Sequence, residues 1–200
     1  MIGNDIYTID NIIPLHRQNE LENLFISSKL SWMFFQDCVT ADSAIDKSGN
    51  KPYTPGIGIY IACKEPHYLN ESLLKQTKII PESACKAIEK ELVEICNARA
   101  FMHFPLRDEI RMEYDNPHVD AKYPHLVCLY YLNDSDGDTF IFDKTLKDTP
   151  KVTSDTKYEI IKRITPKKGR AILFDGNKYH SSSGPTKGVR CILNFNLLIK

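Results

Sequence analysis

The chain has 200 residues and 22.9 kDa, of which 42% are hydrophobic and 26% charged, the proportions of one water-soluble globular domain. Lysine plus arginine and aspartate plus glutamate each number 26. That balance argues against a generic nucleic-acid binder, which needs a basic surplus on one face. No apolar run approaches the ~18–20 residues of a membrane span, and the N-terminus Met1-Ile2-Gly3-Asn4-Asp5 lacks the layout of a signal peptide. A soluble, cytoplasmic protein with no membrane or nucleic-acid partner is expected; oligomeric state is left open. The six cysteines, at 38, 63, 85, 96, 128 and 191, form no C-x-x-C pair and read as reduced, mostly buried thiols.

In chain order, residues 15–28 carry Leu15, Leu21, Leu24 and Phe25 at near-helical spacing, which predicts an amphipathic helix. Ser31–Phe35 and Ile57–Ile61 read as strands. Residues 82–97 look like the clearest helix: Pro81 precedes it, acids come early, and Cys85, Ile88, Leu92, Ile95 and Cys96 fall on one stripe. After residue 98 short apolar runs recur at 99–104, 126–132, 139–142, 158–164, 170–174 and 189–198, separated by turn signals such as Asp115-Asn116-Pro117 and Ser183-Gly184-Pro185. Many short strands of this kind point to a β-sandwich or jelly roll. Helices first and strands later make the fold class α+β, with helices packed on one sheet. The chain is read as a single domain, 1–97 supporting a β core at 98–200.

His118-Val119-Asp120 carries the chemistry. In an extended segment residues i and i+2 point to one side, about 7 Å apart, so imidazole and carboxylate converge. His180 follows a later strand and turn. Two histidines and one carboxylate on one side of a metal form the facial triad suited to Fe(II). Arg190 lies within the apolar run Val189–Leu193, where a guanidinium is costly unless it meets an anion; its planar fork matches a carboxylate bidentately. With seven arginines against nineteen lysines, the choice of arginine there is informative. His103, inside Phe101–Phe104, reads as a satisfied core histidine. His125 lies at an odd offset from His118 behind Pro124, and His16 and His67 have no partner nearby.

With these residues in view, the second half resembles the Fe(II)- and 2-oxoglutarate-dependent oxygenases, closest to their prolyl-hydroxylase-like branch. The resemblance spans roughly 98–198 and rests on His118-Val119-Asp120, Leu129–Asn133 leading into Gly137–Phe142, Pro166–Phe174, His180 and Gly188-Val189-Arg190. It implies a double-stranded β-helix, a jelly-roll variant. It also implies that His118, Asp120 and His180 hold Fe(II) and that Arg190 pairs with the distal carboxylate of 2-oxoglutarate, with O2 as oxidant and ascorbate as reductant. Tyr131 matches a tyrosine that binds the same carboxylate; a core aromatic is the other reading. Asn194 shares a strand face with Arg190 and Ile192, and either leans into the cosubstrate pocket or satisfies backbone groups.

The expected reaction is hydroxylation of an unactivated C–H bond in a peptidyl or free amino acid such as proline. Phe104-Pro105 stands where relatives carry tyrosine before proline, and Asn196 where the nucleic-acid demethylases carry a second arginine. Two alternatives remain: a non-catalytic jelly-roll module, and a zinc hydrolase using the same ligands, which would need a nearby acid as base and has no use for Arg190. The polar stretches 37–54 and 143–156 are the expected rim of the substrate entrance.

Overall fold

A computed structural model of the chain describes residues 5–36, 38, 55–64, 67–106, 113–150 and 156–200. Within them lie eleven strands and three helices: β1 (Tyr7–Ile9), α1 (Leu15–Phe25), β2 (Met33–Phe35), β3 (Gly56–Cys63), β4 (Tyr68–Leu69), α2 (Glu71–Thr77), α3 (Ile79–Ala87), β5 (Leu92–His103), β6 (Leu126–Tyr131), β7 (Thr139–Thr145), β8 (Ile160–Ile164), β9 (Ala171–Asp175), β10 (Lys178–Ser182) and β11 (Arg190–Ile199). The strands form two sheets. The larger runs β1-β9-β6-β11-β5-β3-β2, with β4 on β3; the smaller runs β10-β7-β8. The strand pairings among the described residues are antiparallel.

The alternation of side chains explains why the central strands are buried throughout. In β6, Leu126, Cys128 and Tyr130 join the core beneath the helices, with Ile80, Ala84 and Cys85 of α3. Val127, Leu129 and Tyr131 face the other way, into a second core with Ile141, Ile164, Ile172 and Phe174. β11 divides likewise: Cys191, Leu193, Phe195 and Leu197 go to the helix side, leaving Arg190, Ile192, Asn194 and Asn196 on the face toward the small sheet. A strand covered on both sides reads as an unbroken apolar run, as 126–131 does.

The structure corrects the helix expected over 82–97. α3 ends at Ala87 and the chain turns into β5, the longest strand, so Leu92, Ile95 and Cys96 are strand residues and only Cys85 and Ile88 belong to the helical end. The stop is a Schellman motif: the Lys90 N–H donates to the Cys85 carbonyl (2.9 Å) and the Glu89 N–H to that of Lys86 (3.1 Å). Glu89 sits at φ +56°, where glycine is the usual residue. A helix terminated without its customary glycine leaves little trace in sequence. Glu89→Gly is expected to raise stability by about 0.5–1 kcal/mol by relieving that conformation, checked by denaturant unfolding. β5 also runs across position 97/98, pairing with β3 on one side and β11 on the other.

Smaller differences follow the same logic. The strand expected over 31–35 is confined to β2, and β7 extends to Thr145, into the stretch expected to be rim. Of the two rim stretches, 37, 39–54 and 151–155 lie outside the described residues. β10, absent from the apolar runs because Lys-Tyr-His-Ser-Ser has no hydrophobic alternation, is held by pairing with β7. Cys85, Cys96, Cys128 and Cys191 are buried thiols without disulfide bonds. No helix among the described residues is long and apolar enough to cross a membrane.

Candidate metal and anion site

The site lies between the two sheets. Asp115–His118 adds to the small sheet beside β10. The Asp115 N–H donates to the Ser182 carbonyl (2.7 Å), and His118 and His180 exchange backbone hydrogen bonds of 2.9 Å in each direction. The two imidazoles are therefore cross-strand neighbours, their rings 4.6 Å apart. Each ring is oriented through its other nitrogen: Nδ1 of His118 meets the Asn116 carbonyl at 3.0 Å, and Nδ1 of His180 that of Lys178 at 3.1 Å. A carbonyl only accepts, so Nδ1 carries the proton and the Nε2 lone pair remains for a ligand.

Asp120 sits two residues past His118, in a bend, and its carboxylate is held from the large sheet. Arg99 of β5 approaches Oδ1 at 3.2 Å, and the Asn194 amide of β11 donates to Oδ2 at 2.9 Å. Oδ1 lies 4.0 Å from Nε2 of His118 and 3.8 Å from Nε2 of His180. Among the described residues this is the cluster whose donor atoms lie close enough together to hold a metal ion. Burial alone would push the Asp120 carboxyl up, but the charges of Arg99, His180 and His118 and the Asn194 hydrogen bond outweigh it and hold the group well below the usual carboxylate range. Burial, aided by the charge of His118, depresses His180 to about 4. At neutral pH Asp120 is thus a carboxylate and His180 an uncharged imidazole, the protonation states that metal ligands require. The donor set, with oriented rings and an ionised carboxylate, fits Fe(II).

Arg190 lies at the other end of the same cleft, which encloses about 690 Å3 including its open mouth. The side chain is 2% exposed. Nε donates to the Gly137 carbonyl at 2.8 Å and Nη2 to the Thr139 hydroxyl at 2.8 Å. Gly137 is required there, because a Cβ would lie 2.9 Å from Cδ of Arg190 and 2.7 Å from the Ser183 carbonyl oxygen. Among the described residues no carboxylate comes within 4.0 Å of the guanidinium. A buried cation with part of its hydrogen-bonding capacity uncommitted has the chemistry to receive an anion.

The expected site residues are distributed as follows. His118, Asp120 and His180 come together, and Arg190 and Asn194 line the cleft with them. Tyr131 does not line it: its buried hydroxyl donates to Thr139 at 2.7 Å, and its ring lies beneath the Arg190 guanidinium, 5.8 Å from centroid to Cζ. Asn194 bonds Asp120. His125 stays apart, its Nδ1 on the Tyr123 carbonyl. Sequence reasoning missed Arg99 and Thr139, and His103 requires correction: it is 7% exposed and lines the cleft, and neither ring nitrogen has a hydrogen-bond partner among the described residues. The signal was the two-residue period of Arg99, Phe101 and His103 within the strand expected over 99–104, which gains its meaning only from the pairing of β5 with β11.

Burial, with the charges of Arg190 and His118, depresses His103 to about 3, from 6.5. Below pH 6.5 the unfolded chain takes up a proton that the native state refuses, so this residue's contribution makes stability fall progressively as pH drops from 6.5 toward 3. Thermal unfolding of the metal-free protein is expected to show that decline, less steeply in His103→Phe.

No protein-family model matches the sequence, and no curated protein is significantly similar to it. Solved structures do match. The chain is similar to the non-heme alpha ketoglutarate dependent epimerase SnoN from nogalamycin biosynthesis (TM-score 0.64, 9% identity, 98% of this chain and 78% of that one). It is also similar to a 2OG-Fe(II) oxygenase family oxidoreductase from Burkholderia pseudomallei (0.60, 12%, 98% and 85%). A third is the viral collagen prolyl hydroxylase of Paramecium Bursaria Chlorella virus-1 (0.54, 12%, 98% and 96%). The chain thus has the double-stranded β-helix fold of the Fe(II)/2-oxoglutarate oxygenases, and the expected resemblance, including that to the prolyl hydroxylases, holds at the level of the fold.

Proposed function

We propose that the protein is an Fe(II)- and 2-oxoglutarate-dependent dioxygenase that hydroxylates an unactivated C–H bond of a peptidyl or free amino acid such as proline. The observation that carries the reading is a juxtaposition: a carboxylate–bis-imidazole cluster and a buried guanidinium with no carboxylate in ion-pair contact among the described residues line one cleft. A zinc hydrolase leaves the second feature without a task; a 2-oxo dicarboxylic acid uses both.

His118, Asp120 and His180 would hold Fe(II). Bound there, Fe(II) supplies the redox chemistry with O2 that amino-acid side chains lack, with ascorbate as a reductant. Arg190 holds the distal carboxylate of 2-oxoglutarate. The Thr139 oxygen accepts from both Arg190 and Tyr131, which leaves its own O–H to donate to that carboxylate. Tyr131 serves the cosubstrate through Thr139. Arg99 and Asn194 fix the Asp120 carboxylate, as outer partners of metal ligands do. Phe101, Leu129 and Ile192 line the cleft with apolar surface that keeps water from the reacting centre. Residues 1–97 support the 98–200 core within a single domain, and the reduced thiols of Cys85, Cys96, Cys128 and Cys191 suit a cytoplasmic setting.

The test is incubation of the Fe(II)-loaded protein with 2-oxoglutarate, O2, and either prolyl peptides or free proline. Mass spectrometry is expected to find one oxygen atom gained on the amino acid, carrying the label when the gas is isotopically labelled O2. Hydrolysis supported by Zn(II) and not by Fe(II) would overturn the reading.

A further inference from the structure

Beyond Arg190, the cleft holds a second polar side chain that the described residues leave unused. His103 is 7% exposed, and neither Nδ1 nor Nε2 has a hydrogen-bond partner. Buried ring nitrogens are normally satisfied, because an unmade hydrogen bond there costs free energy. The β5–β11 register pairs His103 directly with Arg190, and directly opposed Cβ atoms lie about 4.5–5.5 Å apart. The same face of the two strands then repeats at two-residue intervals: Phe101 opposite Ile192, and Arg99 opposite Asn194. One end of this ladder, Arg99 and Asn194, is committed to Asp120. The other end, His103 and Arg190, has no carboxylate within ion-pair distance among the described residues, Asp115 and Asp138 acting on the guanidinium only from farther off. β3 closes on the imidazole so tightly that a Cβ on Gly56 would lie 3.1 Å from its Cδ2, which fixes the ring in the cleft wall.

We propose that His103 is a second anchor for the anion held by Arg190, donating a ring N–H to the distal carboxylate of the 2-oxo acid. The inference rests on the cosubstrate reading above and adds to it a binding residue from the opposite strand. A neutral imidazole suits the place, since it donates a hydrogen bond without setting a second cation beside the guanidinium, and burial keeps it neutral. The carboxylate would receive hydrogen bonds from Arg190, Thr139 and His103, donors from three different strands.

The test measures binding to the Fe(II)-loaded protein without O2, by calorimetry. The two ligands are 2-oxoglutarate and 2-oxopentanoate, a 2-oxo acid of the same chain length without the distal carboxylate. His103→Phe is expected to weaken 2-oxoglutarate about tenfold, the size of one hydrogen bond to a charged group, and to leave 2-oxopentanoate unchanged. His103→Gln, which restores an N–H, is expected to bind 2-oxoglutarate as the wild type does. The apolar variant removes a polar group without a protein partner, so its Tm without ligand is expected to be no lower than that of the wild type. Equal weakening of both ligands overturns the inference, as does a lowered Tm with 2-oxoglutarate affinity unchanged. If Arg190→Met weakens 2-oxoglutarate and the His103 variants do not, the inference fails while the cosubstrate reading stands. Failure of the wild type to bind 2-oxoglutarate overturns both.

Discussion

Replacing His180 by alanine is expected to lower Fe(II) affinity by more than about 100-fold, since loss of even an outer partner of a metal ligand costs about 10–100-fold. Three donors become two, and the remaining pair, His118 and Asp120, lies 4.0 Å apart at the nearest recorded donor atoms. Asp120 stays ion-paired with Arg99 and therefore has little need of the metal once one imidazole is gone. Succinate formation from 2-oxoglutarate is expected to fall to the level of the metal-free protein. His180 also packs against the Phe174 ring at 4.9 Å, so the alanine variant loses stability as well. His180→Gln retains most of the volume and separates the two effects. Anaerobic Fe(II) titration reads the first effect and thermal melting the second. Retention of tight Fe(II) binding in both variants would remove His180 from the metal site.

Arg190→Met is expected to leave Fe(II) binding in place and to weaken 2-oxoglutarate by about 30- to 1000-fold, corresponding to about 2–4 kcal/mol for losing one partner of a buried charge pair. The magnitude follows from burial. A guanidinium that is 2% exposed interacts with an arriving carboxylate under little screening, and a methionine offers neither charge nor donor. Arg190→Lys is expected to recover only part of the loss. The fork that holds the Gly137 carbonyl and Thr139 hydroxyl while meeting an anion has no counterpart in a single ammonium. Calorimetry on the Fe(II)-loaded variants checks this. Unchanged affinity for 2-oxoglutarate in Arg190→Met would mean that the guanidinium serves the fold alone.

Much of this arrangement was legible before any coordinates. The H-x-D spacing, the later histidine and an arginine inside an apolar strand are local signals, and the residues they single out lie in one cleft. The covered faces of β6 and β11 could be read from their unbroken apolar runs. The structure departed from the reading where the determining contact was either not local or locally disguised. α3 stops at a glutamate in a left-handed conformation rather than at a glycine, so a strand was taken into a helix. With the helix carried to residue 97, only 99–104 was read as a strand, and its pairing with β11, which sets Arg99 and His103 in the cleft, leaves no local signal. β10 was hidden for a different reason: its pairing, and not its hydrophobicity, makes it a strand. Thr139 could not be singled out because its place between Tyr131 and Arg190 depends on three strands meeting.

The most direct measurement is succinate formation from 2-oxoglutarate by the purified protein with Fe(II), O2 and ascorbate, compared with Zn(II) in place of Fe(II) and with Asp120→Ala. Turnover that requires Fe(II) and O2 and disappears in the variant is the expected result. Absence of succinate under all conditions, in a protein that is folded and binds Fe(II), would contradict it.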